Sequence, residues 1–155
     1  MIPIQELAER FGQKNVREGN YAQNGFHVHL SLDPAGCHDL AGFLKEKGYY
    51  LEYITAVDRI EHLDLIYIFG FYAKPHRIQA VVRTPKGKEV PTLTDVYGAA
   101  DWQEREVFDM FGQVFSGHPN LKNLLLPEKA GFHPLLKDFR AGPKHSGDVA
   151  DLEVA

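Results

Sequence analysis

Apolar positions along the chain switch between a period of 3.6 and a period of 2, and the switches mark the elements. Ile4, Leu7, Ala8 and Phe11 follow the i, i+3, i+4, i+7 spacing behind Pro3 and ahead of Gly12, which predicts a first helix. Asn15 to Glu18 and Gly25 to Asp33 read as two strands across the turn GNYAQNG, the second alternating as Phe26, Val28, Leu30 and Leu32. Asp33-Pro34 then opens a second helix as N-cap and first-turn proline. Cys37, Leu40, Ala41 and Leu44 form its apolar stripe, and Gly48 closes it. Three strands follow, Tyr49 to Val57, Leu63 to Tyr72 and Arg77 to Thr84. The middle one, LDLIYIFGFY, is almost continuously apolar, as expected of a strand covered on both faces or set in a sheet centre. The turns DRIEH and AKPH are short enough for hairpins. The expected fold is α+β in two layers, ordered α-β-β-α-β-β-β, with helices on one face of a mixed sheet.

Beyond Val90-Pro91 the character changes. Thr94 to Ala100 reads as a short helix, and Asp101 to Glu104 as a capping box opening another that ends near Phe111. From Gly112 neither period holds, yet Leu121, Leu124, Leu125, Leu126, Phe132, Leu135, Leu136 and Phe139 keep the segment apolar. A non-periodic stretch with aliphatic anchors predicts an arm laid on a partner surface rather than a disordered tail. The expected division is a domain over residues 1–111, an extended docking arm over 112–139, and a polar, flexible tail over 140–155.

The remaining composition mainly excludes. A net charge of −4 without a basic block points away from nucleic acid and anionic membranes. The single cysteine, Cys37, falls on an apolar helix face and can build neither an internal disulfide nor an iron–sulfur cluster, which suits a reducing, cytosolic setting. The first residues read as an amphipathic helix rather than a signal sequence, and no apolar run approaches the ~20 residues of a membrane span. His27 and His29 share the outer face of their strand without a third ligand in view. Glycine-rich phosphate loops, a GxSxG elbow and a paired-histidine zinc helix are all absent from the sequence.

That leaves the crowded run WQEREVFDMFG. On a helical wheel Glu104, Val107, Phe108 and Phe111 share one face, and Trp102, Arg105, Glu106 and Asp109 another. Glu104 and Glu106 diverge by about 160°, too far apart to act on one substrate. Arg105 and Asp109 form an i, i+4 pair. Glu104 serves either as the capping-box acid on the Asp101 N–H or as a partner's counter-ion. His118 and His133 each precede a proline, Pro119 and Pro134, and suit loop corners with locally hydrogen-bonded imidazoles.

The run EREVFDMFGQVFSGHPNLKNLLLPE, followed by HPLLKDF, resembles the signature of the C-subunit family of NADH-quinone oxidoreductase, the 30-kDa subunit of respiratory complex I. The resemblance is carried by Glu104, Arg105, Glu106, Asp109, Met110, Phe111, His118, Lys122, Leu124, Leu125 and Pro127. It continues through His133, Pro134, Leu135, Lys137, Asp138 and Phe139, and upstream through TAVD at Thr55 to Asp58 and VPTLTDVYGAADW at Val90 to Trp102. Lys129 to Phe132 and Leu136 depart from the family's usual residues. The resemblance implies a subunit without a redox centre, with NADH, FMN, iron–sulfur clusters and quinone all held elsewhere in the complex. It implies packing chiefly on the quinone-site (D) subunit, with the B and I subunits nearby, on the cytoplasmic side of a bacterial inner membrane. Arg105, Lys122 and Lys137 are then expected to pair with partner carboxylates, and Leu121 and Leu124 to Leu126 to fill apolar grooves. The same motif also fits the small subunit of complex-I-like, membrane-bound nickel–iron hydrogenases.

Overall fold

The computed structural model describes residues 1–140, so the tail expected over 140–155 lies, but for Arg140, outside the described residues. Helix α1 spans Ile4–Phe11, and a 3-10 turn over Gln13–Asn15 leads into β1, Val16–Glu18. The expected turn after it is a single helical turn, α2, over Tyr21–Asn24, because the Asn20 side chain accepts the Ala22 N–H and Gly25 closes it in the left-handed region. Strand β2 covers Val28–Leu32 and α3 Pro34–Glu46. As expected, Asp33 caps α3 by accepting the Gly36 N–H at 2.7 Å, and Cys37, Leu40, Ala41 and Leu44 are buried. Gly48 sits just past its end with φ of 80°.

Strands β3, Tyr49–Asp58, β4, His62–Phe71, and β5, Arg77–Pro85, complete a five-stranded sheet ordered β1-β2-β5-β4-β3. The β2–β5 pair is parallel and the others antiparallel, so the sheet is mixed. Leu30, Ile54, Leu65, Phe69 and Ile78 point inward, where Leu7 of α1 and Leu40 and Leu44 of α3 meet them at 1% exposure or less. The apolar run of β4 is explained by its place between β5 and β3. It is not sealed on both sides, because Ile66 and Ile68 on the opposite face stay half-exposed. A bulge between Leu51 and Tyr53 shifts the alternation by one, so Leu51 and Ile54 both face the core although three positions apart. Glu52, in the bulge, pairs with Arg77.

Two short parallel strands, β6 at Val90–Pro91 and β7 at Phe115–Ser116, bracket α4, Ala100–Phe111. The helix expected over 94–100 is instead a series of turns closed by Val96, Tyr97 and Ala100 N–H groups on Leu93 and Tyr97 carbonyls. The arm also begins later than residue 112. Gln113 is fully buried with its amide on Lys88 O and Val114 O, and Phe115 is 2% exposed, so the chain leaves the domain only after Ser116. Replacing Phe115 by Ala should therefore cost about 3–5 kcal/mol in urea unfolding, as for a core aromatic. A residue of a free arm would cost almost nothing.

Candidate functional site

The conspicuous side chains gather where α4 meets the chain that follows it, and most of them turn inward. Glu104 is fully buried. It does not cap its own helix: the N-cap is Ala99, in helical conformation and without a side-chain bond. Glu104 reaches back to the loop after β6, where Oε2 accepts the Thr92 hydroxyl at 2.5 Å and Oε1 the Leu93 N–H at 2.7 Å. Those bonds hold the Thr92–Leu93 backbone toward α4, which is why the following residues coil as turns. Neither role expected for Glu104 holds, since it is sealed from any partner. Burial pushes its carboxyl up from 4.5 to about 7, with the bonds from Thr92 and Leu93 pulling the other way.

Arg105 and Asp109 do not pair with each other. Arg105 donates from Nε to Lys122 O at 3.2 Å and from a terminal nitrogen to Asn123 O at 3.1 Å. Its guanidinium also lies 5.6 Å from the Trp102 ring centre. Asp109, 1% exposed, uses Oδ2 to accept the consecutive N–H groups of Leu124, Leu125 and Leu126 at 3.1, 2.7 and 2.9 Å. Hydrogen bonds to a charged acceptor contribute about 1.5–3 kcal/mol each in favourable geometry. The partner-facing role expected for Arg105 is thus replaced by a grip on the chain's own arm. Asn123 tightens the same loop by donating to Pro127 O at 2.7 Å.

Two more latches lie downstream. The exposed carbonyls at the end of α4 are capped by the arm: His133 Nδ1 bonds Asp109 O at 2.9 Å and the Leu135 N–H reaches Met110 O at 3.1 Å. The His133 ring needs Gly112, where a Cβ would come within 2.7 Å of it and where φ is 73°. Then the Lys137 N–H donates to Asp58 Oδ2 at 2.8 Å, an oxygen shared with Lys86 Nζ at 2.9 Å, while Asp58 Oδ1 accepts the Ile60 N–H. Burial pushes the Asp58 carboxyl up, but the Lys137, Lys86 and Ile60 bonds outweigh it and hold it below its ordinary value. Asp138 is the outermost member, 3.9 Å from Lys86 Nζ. His118 is enclosed at the start of the arm. Its Nδ1 accepts the Asn120 N–H at 3.0 Å, so the proton sits on Nε2, which donates to Asp101 O at 3.1 Å.

Sequence reasoning singled out Arg105, Asp109, His118 and His133 but missed Thr92, Leu93 and Asp58 as their structural complements. A lone carboxylate at the end of an apolar strand was the signal available for Asp58. Glu106, Pro119 and Lys122 face solvent, Phe111 packs half-buried against the core, and Leu124, Pro127 and Pro134 are half-buried. No nucleophile–base pair forms in this cluster. Cys37 is buried, which pushes its thiol up, away from reactivity. Among the described residues no three His, Cys, Asp or Glu side chains converge as a metal site, and no helix is long and apolar enough to cross a membrane.

Comparison with known proteins locates this arrangement. Residues 30–145, the larger part of the chain, match the family of the respiratory-chain NADH dehydrogenase 30 Kd subunit. The chain belongs to that family. The C subunit of the NADH-quinone oxidoreductase of Rhodobacter capsulatus is 38% identical over 146 residues, covering 88% of this chain and 72% of that protein. The Roseobacter denitrificans protein of that name is 36% identical over 146 residues, with 88% and 73% covered. The Ruegeria pomeroyi one is 37% identical over 119 residues, with 72% and 60% covered. Among solved structures, a trypsin-resistant fragment of Nqo5 superposes with a TM-score of 0.63 at 26% identity, covering 76% of this chain and 98% of the fragment. A chain of an archaeal membrane-bound sulfane sulfur reductase shares the fold at a TM-score of 0.74 and 22% identity, covering 97% and 94%. In this member of the 30-kDa subunit family, the Glu-Arg-Glu helix is first of all the anchor of its own C-terminal arm.

The acid at the centre of that anchor has a pH signature. Folded Glu104 holds its proton more tightly than the unfolded chain does. Its contribution therefore favours the folded state fully below pH 4.5 and is lost as pH rises from 4.5 to about 7, on the order of 3 kcal/mol. Glu104→Gln keeps an acceptor for Leu93, so urea titrations should lose that decline between those pH values and find the variant no weaker at pH 7. A variant that is weaker at pH 7 would show that ionised Glu104 stabilises the fold. For the arm, Asp109→Ala strips three N–H groups of their acceptor. Trypsin should cut after Lys122 and Lys129 at least about tenfold faster, with hydrogen exchange in β3 to β5 unchanged.

Proposed function

We propose that this chain is a cofactor-free peripheral-arm subunit of a proton-translocating NADH:quinone oxidoreductase. In this reading it supports the quinone-site (D) subunit while electrons pass from NADH to quinone through other chains. The B and I subunits lie nearby, and the assembly sits on the cytoplasmic side of the bacterial inner membrane. Family membership supports the complex, and one observation carries the docking role. Leu125 and Leu135, at 68% and 53% exposure, stand on the outside of an arm whose polar backbone groups are bonded inward, and Trp102 on α4, beside Arg105, is 67% exposed. Large apolar groups fixed outward on a latched scaffold are what a protein partner buries. The charged residues of the motif thus shape this surface, and the leucines and tryptophan touch the partner. Lys122, Lys137 and Asp138 are exposed around the arm and supply a polar rim.

Leu125→Glu combined with Leu135→Glu should leave the isolated chain's unfolding free energy within about 0.5 kcal/mol of wild type. The same variant should lose the quinone-site subunit on co-purification from native membranes by about tenfold or more. Undiminished recovery would remove the docking surface. Nickel in the purified assembly, without NADH oxidation, would replace this reading by the small subunit of a complex-I-like hydrogenase.

A further inference from the structure

The sheet has a second face. Inward residues of β2 to β5 are sealed, whereas Thr55, Val57, Ile66, Ile68, Gln79 and Val81 on the other side are half-exposed. A groove of about 700 Å³ opens over Ile66, Gln79 and Val81, floored by Ile66 and Val81 and rimmed by Arg59 and Arg83. The rim is built on one carboxylate. Asp64, opposite Arg83 in the β4–β5 register, accepts Arg59 Nε on Oδ2 at 2.8 Å, and Arg83 Nε lies 3.6 Å from Oδ1. His62 Nε2 approaches the same Oδ1 at 3.4 Å. Asp64 is only 11% exposed, while the arginine side chains are 54% and 74% exposed. Arg59 is thus hydrogen-bonded through Nε and Arg83 held near the same carboxylate by charge, and among the described residues nothing takes their terminal NH2 groups. One carboxylate against two guanidinium groups leaves the rim net positive on a chain whose overall charge is −4. Arg17 of β1, opposite His29, adds to the same side.

We propose that this groove is an interface of its own. It takes an extended, acidic segment of another polypeptide, one carboxylate seated between Arg59 and Arg83 and neighbouring apolar side chains on Ile66 and Val81. The guanidinium fork matches a carboxylate with two parallel hydrogen bonds, and arginine is the cation most readily desolvated at an interface. An extended segment presents alternate side chains to the sheet surface, which fits an apolar floor beside a charged rim. Nucleic acid fits poorly, since two anchored arginines on an acidic chain cannot neutralise a run of phosphates. No arm residue takes part, so this inference stands or falls separately from the docking role above.

The test uses the complex purified from native membranes with a photo-crosslinking benzoylphenylalanine at Val81, and separately at Leu125. The expected result is an adduct from Val81 to a peptide rich in Asp or Glu. That adduct should fall on the order of tenfold in Arg59→Gln/Arg83→Gln and at about 0.5 M salt. The Leu125 adduct should persist in the same variant. Gln79→Glu, which puts a negative charge into the groove while leaving Asp64 and its partners intact, should have the same effect as the double substitution. An adduct to lipid, to RNA, to a second copy of this chain or to a segment without acidic residues would overturn the proposal. So would no adduct, or one indifferent to these substitutions. Loss at Leu125 alone would instead count against the arm as a docking surface.

Discussion

The course of the C-terminal arm depends on one oxygen atom, Oδ2 of Asp109, which receives the N–H groups of Leu124, Leu125 and Leu126 in succession. Three consecutive backbone donors can converge on one acceptor only if the chain curls tightly around it, so this interaction dictates a shape as well as contributing energy. The acceptor must itself be immobile. Asp109 is immobile because α4 is fixed to the body of the protein at its other end, where Glu104 is stitched to Thr92 and Leu93 beside β6. Position is handed outward from the sheet to the β6 loop, to α4, and then to the arm.

The carboxylates along that route are solvated by the protein in different ways. Glu104 has two neutral donors and no cation, so burial dominates and holds its carboxyl above its ordinary value. Asp58 has an ammonium and two backbone N–H groups, which outweigh the same burial effect. Acid and alkali therefore act on opposite ends of the chain of attachments: acid weakens the Asp58 latch, and alkali strains the Glu104 stitch. In the cluster that looks like an active site in the sequence, the buried carboxylates are bonded to the chain's own backbone and hydroxyl groups.

Much of this was legible in advance. The apolar stripes at Leu40 and Leu44, the Asp33-Pro34 start and the Val28–Leu30 alternation are local signals, and each element formed where they placed it. The α4 region misled because a helical wheel sorts residues by face without saying what covers each face. Here each face is covered in part, Glu104 and Val107 by the domain and Arg105 and Asp109 by the arm, while Trp102 and Glu106 stay exposed. A carboxylate four residues after an arginine suggests a pair, yet each had a stronger use in backbone groups 15 or more residues ahead in sequence. The expected helix over 94–100 lost to the same long-range demand, since Leu93 must turn its N–H to Glu104. Non-periodic chain from Gly117 onward offers no register from which such bonds could be read.

The latches also bear on how the arm meets another surface. Fixing a residue's backbone costs about 1–2 kcal/mol of conformational entropy, so ordering an arm of this length at the moment of contact would consume most of a typical binding free energy. Here that ordering is already done within the chain, by Asp109, the α4 carbonyls and Asp58. Under the proposed docking role, Leu125 and Leu135 would arrive as parts of a preformed relief, and complexation would be closer to fitting two rigid bodies than to folding one upon the other.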